Sequence, residues 1–370
     1  MVSRPFAAAK AMLITWSCLV LSLRRWCYPA AELHVSWSLA QSLPVEIPDL
    51  PDWSEPVVRI GPSDLDIFPL QLGCNVIGWI ADERESFAIF DAFAAGGGNA
   101  LDTADLYSVW ADGHVGGESE AIIGRWMASR KNRSLMMVAT KVGSHPDFPG
   151  ASRKSILGAA EGSLRRLQSD YIDLYYIHKD DPETPLEETI GALTELAKAG
   201  KIRYAGASNF TAERLEEALR IADATGGVRF VAVQPPYSLL NRNVLEGDLM
   251  ETIQRHGLGT LTYSSLAGGF LTGAYRDGMP QPTGLRAERA AKRLDDRGRR
   301  ILAALDQVAA NHRTSPATIA LAWNLAQPTI VAPITAADTA DQVPGLLEST
   351  FITLSVDELA ELRKASDYSL

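Results

Sequence analysis

From Val57 onward, short β-rich runs alternate with longer amphipathic stretches all the way to the C-terminus, and few architectures can absorb that pattern. Strands are predicted at Leu70–Asn75, Asn99–Thr103, Leu135–Lys141, Ile172–His178, Ile202–Ser208, Phe230–Gln234, Gly259–Tyr263 and Thr329–Pro333. Helices are predicted between and after them, near Glu83–Ala95, Glu118–Ser129, Arg153–Leu167, Leu186–Ala199, Ala212–Ala224, Glu246–His256, Arg299–Asn311 and Ala340–Leu347. Ser152 and Thr211 stand where N-caps belong, and Gly200 where a helix needs a residue at positive φ to stop. Eight strands alternating with eight helices over about 300 residues is the expectation for an α/β (β/α)8 barrel. The rival is a Rossmann fold, but Gly96–Gly98 precedes the second strand and no GxGxxG follows the first.

The first 56 residues do not share this pattern. Ala11–Leu23 is an apolar run of 13 residues flanked by Arg4, Lys10, Arg24 and Arg25, and it is shorter than the roughly 20 residues that cross a bilayer. Ser36–Pro56 carries Pro44, Pro48, Pro51 and Pro56 and reads as an irregular tether. A secretory or anchoring leader and a weak interfacial segment compete with a disordered extension or misassigned start. We favour the last, with residues 1–56 as extension and 57–370 as the barrel. A net charge of −10 and no long basic run argue against nucleic acid. Cys18, Cys27 and Cys74 form no CxxC pair, which fits a reducing compartment. A cytoplasmic protein with no membrane partner is the expectation.

In a barrel of this kind the C-terminal ends of the strands face the active site. Read in order, those ends present Asp102, Lys141, His178, Ser208–Asn209, Gln234 and Tyr263. Five residues after Asp102 comes Tyr107, in the stretch NALDTADLY. A phenol has a pKa of about 10. Lys141 is expected to lower it, with Asp102 holding the lysine charged and His178 positioning a carbonyl oxygen. Such a cluster protonates an oxyanion while something else attacks the carbon. No nucleophile elbow is present, so the attack falls to a cofactor hydride. Asp105 reads as an ordinary loop residue. A metal-dependent hydrolase built on Asp102 and His178 is the weaker alternative, because no HxH pair follows the first strand.

The chain resembles the aldo-keto reductase family in GGNALDTADLY (Gly97–Tyr107), GGESEAIIGRWM (Gly116–Met127), ATKVG (Ala139–Gly143), DYIDLYYIH (Asp170–His178), GKIRYAGASNF (Gly200–Phe210), VAVQPPYSLL (Val231–Leu240) and YSSLAGGFLTGAY (Tyr263–Tyr275). The resemblance covers about Val57–Leu370. It implies an NAD(P)H-dependent reduction of an aldehyde or ketone. In that reaction Tyr107 is proton donor, Lys141 tunes it, Asp102 supports Lys141 and His178 orients the carbonyl. It implies that Ser208, Asn209 and Gln234 bond the nicotinamide carboxamide and that Tyr263 stacks under the ring. Ser264, Leu266, Gly268 and Leu271 fall on the loop over the pyrophosphate, and Thr335 and Gln342 on the adenosine end. The implied partner is a small carbonyl compound, and oligomeric state is left open. A cofactor-binding regulatory subunit with slow or no turnover, as the family's channel β-subunits are, is the alternative function.

Two departures stand out. Ser265 replaces the proline expected after the YS pair, and Ala274 replaces the lysine of an LTGKY piece. The run APITAADTADQV (Ala332–Val343) has no Lys or Arg for the 2′-phosphate of NADPH. NADPH is therefore the family default, with NADH a real competitor. Trp79 and Trp110 are candidate walls of an aromatic substrate pocket, and Ala274–Asp296 is a candidate lid.

Overall fold

The computed structural model describes residues 56–278, 282 and 285–369; the N-terminal apolar run, the proline-rich tether, Cys18 and Cys27 lie outside them. Eight parallel strands close into a barrel in sequence order. They are β1 Gln71–Gly73, β2 Ala100–Asp102, β3 Met137–Val142, β4 Ile172–Ile177, β5 Ile202–Ser208, β6 Phe230–Gln234, β7 Gly259–Thr262 and β8 Ile330–Thr335. The chain therefore forms the (β/α)8 barrel that its strand and helix periodicity implies.

The helices outside the barrel begin and end where local chemistry dictates. The Ser152 hydroxyl accepts from Ser155 N ahead of Arg153–Leu167, and Thr211 accepts from Arg214 N ahead of Ala212–Thr225. Gly200 lies at φ 71° just past Leu186–Lys198. Three helices are missing from the predicted set, among them the short Leu285–Ala291 inside the candidate lid. Pro316–Leu325 is apolar all round, with Thr318 through Asn324 buried, so it has no polar face to betray it. Val356–Ala365 carries a capping box between Ser355 and Glu358. The sequence's last predicted helix divides into a 3-10 turn, Ala340–Gln342, and the helix Val343–Glu348.

Strand alternation sorts the core into two layers. Ala100, Met137, Ala139, Leu174, Tyr176, Ala232 and Ala332 point into the barrel and pack with one another. Leu101, Val138, Val142, Tyr175, Ile177 and Val233 point outward beneath the helices. A small antiparallel hairpin, Val58–Arg59 with Asp66–Ile67, precedes the barrel. Its Ile60, Leu65 and Ile67 are buried among the inward residues and form a floor under the N-terminal strand ends. The floor sits close: a Cβ on Gly61, at φ 47°, would lie 2.4 Å from Val231 O and 2.7 Å from Gly259 N.

Candidate active site

The alternation that puts Met137 and Ala139 inside the barrel continues one step further and puts Lys141 there, wholly buried. The same step carries Asp102 in above Ala100, His178 above Tyr176 and Gln234 above Ala232. Beyond β2 the chain turns sharply. Thr103 N donates to Ala139 O (2.8 Å), Tyr107 N to Ala104 O (3.2 Å), and Ser108, at φ 78°, is tied by its hydroxyl to Ile77 O (2.8 Å). That turn swings Tyr107 back over Lys141.

All three ammonium protons of Lys141 have acceptors: Asp102 Oδ2 at 2.6 Å, Thr103 O at 2.8 Å and the Tyr107 hydroxyl at 2.9 Å. The Tyr107 hydroxyl in turn donates to Asp102 Oδ2 (3.3 Å), and Gln234 Nε2 donates to Asp102 Oδ1 (2.8 Å). Asp102 is thus held from both sides in a nearly closed polar cage. The Thr103 carbonyl, a backbone acceptor, is the member that no side-chain reading could supply.

The electrostatics correct the sequence reading at one point. Lys141 was expected to lower the Tyr107 pKa, but burial of the hydroxyl, followed by the Asp102 charge, holds the phenol well above its ordinary value. Tyr107 therefore stays protonated across the neutral range, which is the form that can donate. His178 lies edge-on to it, with ring centroids 6.2 Å apart at 71°. Burial, reinforced by the Lys141 charge, pulls the His178 pKa down to about 3, so the ring is neutral. Its Nδ1 has no hydrogen-bond partner among the described residues.

Beside these groups opens a cleft of about 950 Å³, lined by Asp102, Tyr107, Trp79 and Tyr263 at one end and by Thr335 and Gln342 at the other. Ser264, Leu266 and Gly268 line the stretch between, as do Pro282 and Ala287 of the candidate lid. Asn209, at φ 57°, is fixed from three sides: its amide donates to His178 O (2.9 Å) and Ser208 Oγ (3.0 Å), and its oxygen accepts from the Tyr263 hydroxyl (2.8 Å). Ser208 Oγ donates to Gln234 O (2.9 Å). Trp79 and Trp110 meet edge to face at 5.8 Å, and Trp110 lies 6.0 Å from Tyr107, so the aromatic groups form a row at the mouth. Asn75 and Ile80, on the loop after β1, also face the cleft and were not singled out from sequence.

Of the residues predicted to hold cofactor or substrate, His178, Ser208, Asn209, Gln234 and Trp110 adjoin the cleft through the contacts above without lining it, and Leu271 is wholly buried in the core, with its N–H on Leu266 O (3.2 Å). Asp105 lies in the turn after β2, as the sequence implies, but it is 1% exposed, and neither carboxylate oxygen has a hydrogen-bond partner among the described residues. Burial, with Glu120 nearby, pushes its pKa up to about 8 against the pull of Arg166. Glu120 itself is buried between Thr140 Oγ1 (2.6 Å) and Arg166 (2.7 Å). Ser265, in the expected proline's place, is buried and donates to Thr262 O (3.0 Å).

Comparison with known proteins agrees with the fold and the motifs. A model of the Aldo/keto reductase family matches residues 69–367. The chain is 35% identical over 333 residues to Protein tas of Escherichia coli, covering 82% of this chain and 95% of that protein. It is 34% identical over 313 residues to the uncharacterized oxidoreductase YrpG of Bacillus subtilis, covering 82% and 93% respectively. It is also 33% identical over 295 residues to a probable voltage-gated potassium channel subunit beta of Oryza sativa, covering 77% and 88%.

Proposed function

Given that the chain belongs to the aldo/keto reductase family, whose members generally use NAD(P)H, we propose that it reduces an aldehyde or ketone to the alcohol with Tyr107 as proton donor. The observation that carries this reading is the buried Lys141 ammonium, bonded at once to Asp102, Thr103 O and the Tyr107 hydroxyl at the edge of the cleft.

The cofactor fits what is present. The cleft is lined by Gly268 and Gly269 of the turn that Ala267 begins, with φ of 52°, 68° and 94° from Ala267 to Gly269, and a Cβ on Gly269 would meet open space where a diphosphate needs room. Ser208, Asn209, Gln234 and Tyr263 would hold the nicotinamide end, and Thr335 and Gln342 the adenosine end. When bound, the reduced nicotinamide supplies a hydride to the carbonyl carbon. The chain's own residues then manage the oxygen. The neutral His178 ring offers a hydrogen bond that orients the carbonyl, and the Tyr107 hydroxyl gives up its proton as negative charge develops there. Lys141 steadies the phenolate that remains, and Asp102 and Thr103 O keep the ammonium in place. The row Trp79–Trp110–Tyr107 would favour a carbonyl carried on an apolar or aromatic group. Among the described residues no helix is long and apolar enough to cross a membrane, and Cys74 is a buried free thiol. We take the protein to act in the cytoplasm.

A regulatory, cofactor-binding subunit is the second reading, favoured by the likeness to the rice potassium channel subunit beta. Oxidation of NADPH and NADH followed against a panel of aldehydes, ketones and sugars separates the two. Turnover of any carbonyl that Tyr107→Phe abolishes supports the reductase. Tight cofactor binding with no turnover across the panel supports the regulatory subunit.

A further inference from the structure

A diphosphate laid on Ala267–Gly269 needs positive charge beside it, and the lysine expected for that purpose is Ala274. Ala274 lines the cleft but carries no charge. The next cation in sequence, Arg276, is paired with Asp306 at 2.7 Å. Another arginine reaches the turn from a distant segment. Arg293 lies in the short connection between the helices Leu285–Ala291 and Asp296–His312, and its guanidinium donates to the Ala267 carbonyl. Its Nη1 is 3.8 Å from the point where a Cβ on Gly268 would stand, and Gly268 lines the cleft.

Among the described residues Arg293 has no ion-pair partner, and burial depresses its pKa. Its neighbour Arg297 is committed elsewhere, donating to the carbonyls of Leu239 (3.1 Å), Leu240 (3.1 Å) and Ser366 (2.9 Å). Both arginines line a recess of about 370 Å³ that shares Ser264 with the main cleft. Asp295 lies in the same recess but is spent capping Gly298 N (2.7 Å). A guanidinium has five N–H donors, so holding one carbonyl leaves others for an anion.

We propose that Arg293 is the cation that holds the cofactor's pyrophosphate against the Ala267–Gly269 turn, replacing the lysine that Ala274 lacks. This rests on the reading of the cleft as a dinucleotide site. The test is a fluorescence titration of the full chain with NADPH and NADH, which reads binding without turnover. Arg293→Gln removes the charge, and because its amide ends about where the guanidinium Nε stood it also gives up the bond to the Ala267 carbonyl, so the salt dependence and the rescue by Ala274→Lys carry the decision. The variant should weaken both cofactors about tenfold at low salt, as loss of one charge-assisted hydrogen bond predicts, and the deficit should shrink at high salt. Adding Ala274→Lys to Arg293→Gln should recover most of the loss, because it returns a cation to the same cleft, and Arg293→Lys alone should lose less than Arg293→Gln. Affinity for Arg293→Gln within about twofold of wild type overturns the proposal. So does a deficit that is independent of salt and not recovered by Ala274→Lys, which would make Arg293 a latch for the turn. If Arg293→Gln fails to fold, Arg293→Met, with a long uncharged stem, is titrated across salt in its place and the same two outcomes decide. A wild-type chain that binds neither cofactor fails the dinucleotide reading itself, a different result from either outcome above.

Discussion

Lys141 Nζ and Asp102 Oδ2 stand 2.6 Å apart with both side chains almost completely buried. Removing two charges from water is costly, and the pair is sustained by the hydrogen bonds that satisfy its remaining protons and lone pairs. Taking away one partner leaves the other charge buried and alone. Asp102→Asn should therefore destabilise the fold by about 3–5 kcal/mol, read as a lowered denaturant midpoint. Adding Lys141→Met should restore part of that loss. A midpoint unchanged in Asp102→Asn would contradict the buried-pair account.

Tyr107→Phe leaves the cleft its shape and takes away the proposed proton donor. Binding of NADPH should persist, while the rate of carbonyl reduction falls by about 10²–10⁴-fold. Single-turnover kinetics on a reactive aldehyde measure this directly. Near wild-type turnover by the variant would move the proton donor elsewhere.

His178 should stay neutral throughout the ordinary pH range. Its folded pKa of about 3 lies below the ordinary value, so on acidification the unfolded chain takes up a proton near pH 6.5 that the folded chain refuses. The stability it contributes is whole above about pH 6.5 and is lost as pH falls towards 3. An NMR titration should show no His178 transition between pH 5 and 8, and a midpoint near 6.5 would refute the burial argument.

Asp105 runs the other way. With a folded pKa of about 8, it keeps its proton where the unfolded chain has released it, so its contribution is complete below about pH 4 and is lost as pH rises towards 8. Asp105→Asn mimics the neutral acid and removes this slope. Between pH 6 and 9 the wild type should lose more stability than the variant, by at most about 1.4 kcal/mol per pH unit. Parallel losses in urea denaturation at the two pH values would count against a neutral Asp105.

Cofactor choice should be weak. The lining of the cleft includes Asp338 and Asp341 near the adenosine end and no Lys or Arg among the described residues, so a 2′-phosphate finds no arginine there to fork it. Paired titrations should give a modest ratio of NADPH to NADH affinity. A preference for NADPH of about a thousandfold, some 4 kcal/mol, would contradict this.

The residues legible in the sequence were those whose geometry follows from strand alternation. Once the strand ends are located, Asp102, Lys141, His178 and Gln234 must share one rim, because inward residues recur every second position. Pairings set by distant segments were not legible. Arg293 meets Ala267 across 26 residues and a helix. Two of the charges that act on Asp105, those of Glu120 and Arg166, are brought in by different outer helices. Leu271 reads as a loop residue, yet its side chain fills the core. The helix Pro316–Leu325 is hidden for the opposite reason, since a wholly buried helix has no periodicity to find. The hairpin beneath the barrel, with two residues in each strand, is shorter than any pattern that alternation can reveal.

That hairpin stops one end of the barrel. Ile60, Leu65 and Ile67 are packed among the inward residues there, and the cleft beside Asp102 and Tyr107 opens at the other end. If Tyr107 is the proton donor proposed above, it would be recharged from solvent through the same cleft that product must leave. Departure and reprotonation become consecutive events, and heavy-water solvent would slow the stage after release along with the chemical one.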